Sequence, residues 1–322
     1  MKGFDPRFKD FPDYILGITK EIWEDRGVHT LHKYYEKNMA KRSADGIVVG
    51  AQNVIDESIE AMAMSPGLEI FGEDVIWSGN DKDGFLSSHR SIIFFPHVND
   101  GTLGPRTGKR LWQYCIADCA ARDNAIYDEW LVHDQGAFLR QLGLEPKAYA
   151  AAVIAQQGGP KKCSKPFTPE RDVKAKYTSR GNDHPAGQRY ADILTRIMAG
   201  EFSIIQSDYD RGCHLQHPGG VTDHGRPAAD KFWLNLRAAL PKAKFTIHHM
   251  IGRTDPDMPP RAALRWSLDG THDGWGMFGA PTGTKLHVMG ISHAEFGPWG
   301  LRREYVLVDE VAVWRQIVLK TG

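Results

Sequence analysis

Residues 104–111 read Gly-Pro-Arg-Thr-Gly-Lys-Arg-Leu, and 175 positions later residues 279–286 read Gly-Ala-Pro-Thr-Gly-Thr-Lys-Leu. The same offset carries Glu129 to Glu304, Asp134 to Asp309, Ala137 to Ala312, and Arg140-Gln141 to Arg315-Gln316. It also carries His97 to His272, Arg90 to Arg265, Pro66 to Pro241 and Gly50 to Gly225. Between 50 and 142, 17 of 93 positions match without a gap, and 12 of the 17 lie between 97 and 141. A period this long marks a duplicated domain, because solenoid repeats run at roughly 20–50 residues. Each copy must then fold as a unit, and any site comes in two versions that can be compared.

The 322 residues suit two domains of ordinary size. The expected division is residues 1–145 and 185–322, joined by a linker at 146–184. The linker's stretch from 161 to 180 holds seven Lys/Arg, two Asp/Glu and two prolines, with no helical or strand period. Its aromatics, Phe167 and Tyr177, suggest that it is pinned to a surface. Zero net charge argues against nucleic acid or an anionic membrane as the main partner. No apolar run reaches the ~18 residues of a membrane span, and no signal peptide is visible, so a reduced, cytoplasmic setting is expected. Four cysteines without a paired Cys-x-x-Cys pattern give no zinc signature.

Each copy opens with apolar residues at helical spacing. Ile15, Ile18, Ile22 and Trp23 mark the first; Tyr190, Ile193, Leu194, Ile197 and Met198 mark the second. Short helical pieces follow, then a helix after Gly50 or Gly225 that Pro66 or Pro241 closes. Beyond the prolines, 68–77, 86–95, 110–120 and 125–133 read as strands, and so do 243–251, 261–269, 284–295 and 299–308. The fold class is α+β, with four antiparallel strands in each copy curling around helices to leave a cone open at one end.

The run Asp269-Gly270-Thr271-His272-Asp273-Gly274, followed by Gly279-Ala280-Pro281-Thr282-Gly283, resembles the SnoaL-like polyketide cyclases of the nuclear transport factor 2-like superfamily. The first copy adds Ile126-Tyr127-Asp128-Glu129-Trp130, Asp134 and Leu139-Arg140-Gln141-Leu142-Gly143. The resemblance implies two tandem cone-shaped domains paired through their open sheet faces within one chain, a pseudo-dimer, with a homodimer as a further assembly. The group spans cyclases, isomerases, dehydratases, hydroxylases, hydrolases and non-catalytic binding proteins, so fold alone does not settle function. Its best-known cyclases use an Asp on the last strand and a His on the preceding one. Those positions fall here on Leu131 and Ala117, and in the second copy on Val306 and Ser292, so the family's own catalytic pair is absent from both.

Alternate residues on a strand share a face. If position 131 faces the cavity, so do Glu129 and His133. A carboxyl in an apolar cone has a raised pKa and can serve as an acid/base near neutral pH. The catalytic candidates are therefore Glu129 with His133, and Glu304 with His272, joined by His97 and Arg265. The competing reading makes Glu129 and Glu304 structural ion pairs with Arg90 and Arg265, and makes His97 and His272 anchors of their turns. Asp134 and Asp309 read as helix caps. Candidate ligand contacts are Tyr34, Trp77, Arg90 and Trp112 in the first copy, which reads as an aromatic wall, and His214, His217, Trp266 and His287 in the second, where histidines concentrate. No metal and no cofactor is expected. The expected activity is acid/base chemistry on a hydrophobic, carbonyl-bearing or polyketide-like small molecule; the alternative is a non-catalytic binding or scaffold protein.

Overall fold

A computed structural model describes residues 1–322. The first domain runs α1 (Phe11–Thr19), a π-turn at Lys20–Glu24, α2 (Leu31–Tyr34), β1 (Tyr35–Ser43), β2 (Gly46–Val49), α3 (Ala51–Met64), β3 (Glu69–Asn80), β4 (Gly84–Pro96), β5 (Arg110–Arg122), β6 (Ala125–His133) and α4 (Gln135–Gln141). Helix α5 (Pro146–Gln156) comes next, so the first eleven residues of the 146–184 segment are helical; they pack on the last helix of the chain. The second domain runs α6 (Pro185–Met198), α7 (Ile204–Asp208), β7 (Tyr209–His217), β8 (Val221–His224), α8 (Arg226–Ala239), β9 (Lys244–Arg253), β10 (Arg261–Thr271), β11 (Lys285–Gly297), β12 (Gly300–Val308) and α9 (Glu310–Thr321).

The two sheets have one topology. Strand order is β2-β1-β6-β5-β4-β3 in the first and β8-β7-β12-β11-β10-β9 in the second. Irregularities repeat too: a bulge at Glu73 in β3 recurs at His248 in β9, and one at Tyr127 in β6 recurs at Arg302 in β12. Each sheet has six strands rather than four, and it is mixed rather than antiparallel, because β1 and β7 run parallel to β6 and β12. These strands are hidden in the sequence. Tyr35–Ser43 carries no β-branched residue, and its pairing on both edges replaces the propensity it lacks. The sheets are open and do not close into barrels.

Across the strands, the 175-residue register slips at the first hairpin. The β1–β2 hairpin turns through Ala44-Asp45, whereas β7–β8 turns through Pro218-Gly219-Gly220. Before this extra residue the offset is 174: Tyr35 pairs with Ile126 as Tyr209 pairs with Leu301, and Lys41 with Glu129 as Leu215 pairs with Glu304.

The sheets meet face to face. Ile76, Leu86, Ile116, Trp130 and Val132 of the first pack with Ile251, Ala263, Met289, Ile291 and Leu307 of the second. A reciprocal clasp crosses this interface. The Arg265 guanidinium lies 3.7 Å from the Trp130 ring centroid, and Arg90 lies 3.4 Å from that of Tyr305. Both pairs are related by the same offset, 90 to 265 and 130 to 305. Arg265 Nε donates to Asp118 at 3.0 Å; the counterpart of Asp118 is His293, which sits 3.4 Å from Arg90, and Arg90 takes Glu73 at 2.7 Å instead. The linker seals one flank. Tyr177 packs on Trp130 and its hydroxyl meets His249 at 2.8 Å, while buried Arg42 donates to Asp128 at 2.8 Å and to Asp172 at 2.6 Å.

Breaking a buried pair strands a charge, which costs about 3–5 kcal/mol. Arg265→Ala should lower unfolding stability by that amount in urea denaturation, and Asp118→Ala/Arg265→Ala should cost less than the two single changes added. A single-variant loss below about 1 kcal/mol would remove this pair from the interface's anchors.

Candidate functional site

The concave faces of the two sheets are where the copies diverge. In the first domain α1, α3 and β3–β6 enclose a cavity of about 490 Å³, lined by 27 residues of which 17 are hydrophobic. This lies within the range of small-molecule sites. The cavity runs along α3, where exposed Glu57, Ala61 and Met64 share its wall.

Sheet register sets the polar residues out in rungs. Ser87, Cys119, Glu129 and Lys41 stand side by side on β4, β5, β6 and β1. The next inward rung is His89, Ala117 and Leu131; the one after is Ser91, Cys115 and His133, with Gln113 two residues further along β5. Leu131 and Ala117, the positions where the family pattern places Asp and His, do line the cavity, as the two apolar members of the rung they share with His89. Glu129 stands one rung to one side of it and His133 one rung to the other. With a rise of 3.3–3.4 Å per residue their Cα atoms are about 13 Å apart, so they are opposite poles rather than partners in one proton transfer.

Burial pushes the Glu129 carboxyl above its ordinary value, against the pull of the Lys41 ammonium and a hydrogen bond from the Tyr35 hydroxyl. Its Oε2 has no protein partner. Burial pushes His89 and His133 down to about 4, so both imidazoles are neutral near pH 7. The Cys115 and Cys119 thiols are pushed up by the same cause and stay protonated.

The second concave face is filled. Ser58 corresponds to Trp233 and Ser91 to Trp266 (58 + 175 and 91 + 175), and both indoles are fully buried, 6.2 Å apart between ring centroids. Room for Trp266 comes from Gly290, the counterpart of Cys115; a Cβ there would sit 2.3 Å from the indole. His89, Gln113 and His133 correspond to Leu264, Val288 and Val308, all buried in the large apolar core of this domain. Only the glutamate and its tyrosine persist. Glu304 receives Tyr190 at 3.0 Å, Tyr209 at 2.7 Å and the Trp233 Nε1–H at 3.2 Å, which makes it the hub of a core network.

The sequence reading therefore inverts. The first copy holds the polar cavity, and the histidines of the second line no such space. His214 faces His224 on a surface hollow, Asp269 holds His287 at 2.6 Å, and His217 stacks on Phe232 at 4.0 Å with its Nε2 3.7 Å from Glu304, inside the packed core. Trp266 lies in the core, its Nε1 donating to Ser292 at 2.8 Å. In the first copy, Tyr34 donates to Glu21 at 3.0 Å, Trp77 packs between Phe11 and Phe85, and the Trp112 backbone is clamped by Gln141; none lines the cavity. Arg90 and Arg265 lie on the outer sheet faces, so neither can pair with Glu129 or Glu304. His97 and His272 tie their turns, each Nδ1 lying 3.0 Å from the hydroxyl of Thr107 or Thr282, and Asp134 and Asp309 cap α4 and α9.

Sequence reasoning missed Lys41, His89, Ser91 and Gln113. Three of them announce themselves as inward positions that are polar in one copy and bulky or apolar in the other. Lys41 does not, because the hairpin's extra residue sets it against Gln216 instead of Leu215 in a gapless comparison.

A family model described as SnoaL-like domain matches residues 188–302. The second domain is thus a SnoaL-like domain, and the first repeats its topology strand for strand. No curated protein matches the sequence. Similar solved structures include IdmH from Streptomyces antibioticus (17% identity, 41% of this chain and 98% of that one, TM-score 0.37). A SnoaL-like polyketide cyclase from Agrobacterium tumefaciens shares 21% identity over 40% of this chain and 94% of its own, with a TM-score of 0.32. AclR from Streptomyces galilaeus shares 15% over 42% and 89%, with a TM-score of 0.35.

Two outcomes follow from the divergence of the copies. Ser91→Trp with Cys115→Gly installs the second domain's indole and its space; the protein should stay folded by circular dichroism and lose uptake of small apolar probes such as 1-anilinonaphthalene-8-sulfonate by calorimetry. Undiminished binding would place the ligand site elsewhere. Acid stability provides the other. Unfolded imidazoles take protons near 6.5 and the folded His89 and His133 only near 4, so the unfolded chain binds more protons between those values. The contribution of these groups is whole above pH 6.5 and is lost as pH falls towards 4, at up to ~1.4 kcal/mol per pH unit per group. His89→Leu/His133→Val should flatten that limb of the stability curve; an unchanged slope would mean that the imidazoles titrate normally.

Proposed function

We propose that the first domain carries out acid/base chemistry on a hydrophobic, carbonyl-bearing small molecule, by cyclisation, isomerisation or hydration, with Glu129 as the proton-transferring group. The observation that carries this reading is a buried carboxylate whose Oε2 has no protein partner, at one end of a cavity of about 490 Å³. A desolvated carboxyl of raised pKa is a stronger base than one in water, and the apolar walls hold the substrate without competing for the proton. Glu129 Oε2 takes a proton from the carbon next to the carbonyl. In cyclisation the resulting enolate attacks a second carbonyl carbon, whose C=O π bond opens to an alkoxide that recovers the proton from Glu129; in isomerisation Glu129 returns the proton to another carbon of the enolate. His89, neighbour of Ala117, is the neutral imidazole placed to hydrogen-bond the substrate oxygen. Confinement contributes as well, since oriented reactants save ~7–11 kcal/mol of the barrier.

A second reading is a non-catalytic binding protein, which Leu131 and Ala117 favour. Exchange of the α-hydrogens of 2-tetralone in heavy water, followed by NMR, separates the two. Under the enzymatic reading the protein accelerates exchange and the rate climbs with pH through the elevated Glu129 pKa, because the base must be ionised. Glu129→Gln removes that pH limb and slows exchange about 10²–10⁴-fold while the ketone still binds. Binding without accelerated exchange, or exchange indifferent to Glu129→Gln, sinks the catalytic reading.

A further inference from the structure

We propose that Gln113 and His133 form a second recognition pole, selecting ligands that carry a hydroxyl at the end opposite the group held by Glu129. The proposal rests on the reading of the first domain's cavity as the ligand site. Three residues that line this one cavity each carry a buried polar atom without a protein partner: Glu129 Oε2, Gln113 Oε1 and His133 Nδ1. The last two lie together, because His133 pairs with Cys115 and Gln113 is the next inward residue of β5. Between them and Glu129 stands the rung of Leu131, Ala117 and His89, whose one polar side chain is the neutral His89 imidazole. The cavity thus has a polar head at each end of this stretch of β6, and the heads are about 13 Å apart along the strand.

The other copy serves as a control. A buried polar group without a partner costs about 1–3 kcal/mol, and the filled domain bears no such cost at these places, holding Val288 and Val308. Polar residues appear at the two positions only in the copy that has a cavity. Gln113 Oε1 is an acceptor, and the neutral His133 ring accepts or donates according to its tautomer. Their natural complement is a phenolic or alcoholic O–H, which both donates and accepts. A methyl ether offers no donor, and a bare ring offers neither function. The ligand class is therefore an elongated, hydrophobic ketone with a distal hydroxyl.

Calorimetry with 2-tetralone, 6-methoxy-2-tetralone and 6-hydroxy-2-tetralone tests this, since the fused rings hold the two oxygens at opposite ends. Wild type should prefer the hydroxylated ketone by about five- to tenfold, the worth of one ordinary hydrogen bond. Gln113→Val/His133→Val should bind 2-tetralone undiminished and lose the preference. It carries the second domain's own residues, and its Tm should rise as two unpaired polar groups leave the interior; that melting curve also reports that the variant folds. Glu129→Gln should keep the preference. Equal affinity for all three ketones in wild type, or a preference that survives Gln113→Val/His133→Val, overturns the proposal. Preference without α-hydrogen exchange would leave it standing and sink the catalytic reading alone.

Discussion

A six-stranded open sheet has two faces, and each needs a cover. The reciprocal packing of the two sheets supplies the outer cover for both at once. At its centre two arginines each lie over an aromatic ring of the opposite domain, Arg265 on Trp130 and Arg90 on Tyr305, in positions related by one duplication. Guanidinium planes on rings bury charge where it keeps an attractive partner. The symmetry is incomplete, since Asp118 faces His293 across the repeat and Arg90 finds its carboxylate within its own sheet. With the outer faces settled, the concave faces are free to differ.

They differ in the direction that a division of labour requires. Trp233 and Trp266 occupy the second cone, and Gly290 exists where a side chain would collide with an indole. The first cone has serines at both tryptophan positions, and polar atoms that lack partners. An empty, partly polar cavity destabilises a domain by its lost contacts and its unsatisfied groups. The packed second domain, docked through the shared sheet interface and the helix pair α5–α9, compensates. Proteins commonly set stability against site chemistry within one core. Here the packed core and the cavity sit in separate copies of one fold.

The sequence made much of this readable, for physical reasons. The gapless 175-residue period exposed the duplication, strand parity put Glu129, Leu131 and His133 on one face, and the turn and cap residues His97, His272, Asp134 and Asp309 had the short-range chemistry of closures. What stayed hidden depended on tertiary context. Tyr35–Ser43 is a strand because β6 and β2 pair with it, not because of its own residues. Whether a cone is hollow depends on summed side-chain volume, which no single motif encodes; serine against tryptophan at two inward positions settles it, but only once inward positions are known. Concentrated histidines misled because the count ignores direction: His214, His249, His287 and His293 face away from the second domain's concave side, and His217 enters it only as part of a packed core beside Glu304.

The retained glutamate shows how far a shared residue can part in role. Glu129 and Glu304 occupy one position, on one strand, opposite one tyrosine in each copy. Glu304 accepts three hydrogen bonds from Tyr190, Tyr209 and Trp233, and its acceptor capacity is spent within the core. Glu129 has lost the indole, because Ser58 stands in place of Trp233 and donates to Val54 of its own helix at 2.8 Å. One carboxylate oxygen is left buried without a protein partner. The difference between the two glutamates therefore needs no change of acid; the absence of one donor accounts for it. Persistence of a residue through a duplication identifies what the fold can hold, and the partners that persist with it decide how many of its hydrogen-bonding sites the fold fills.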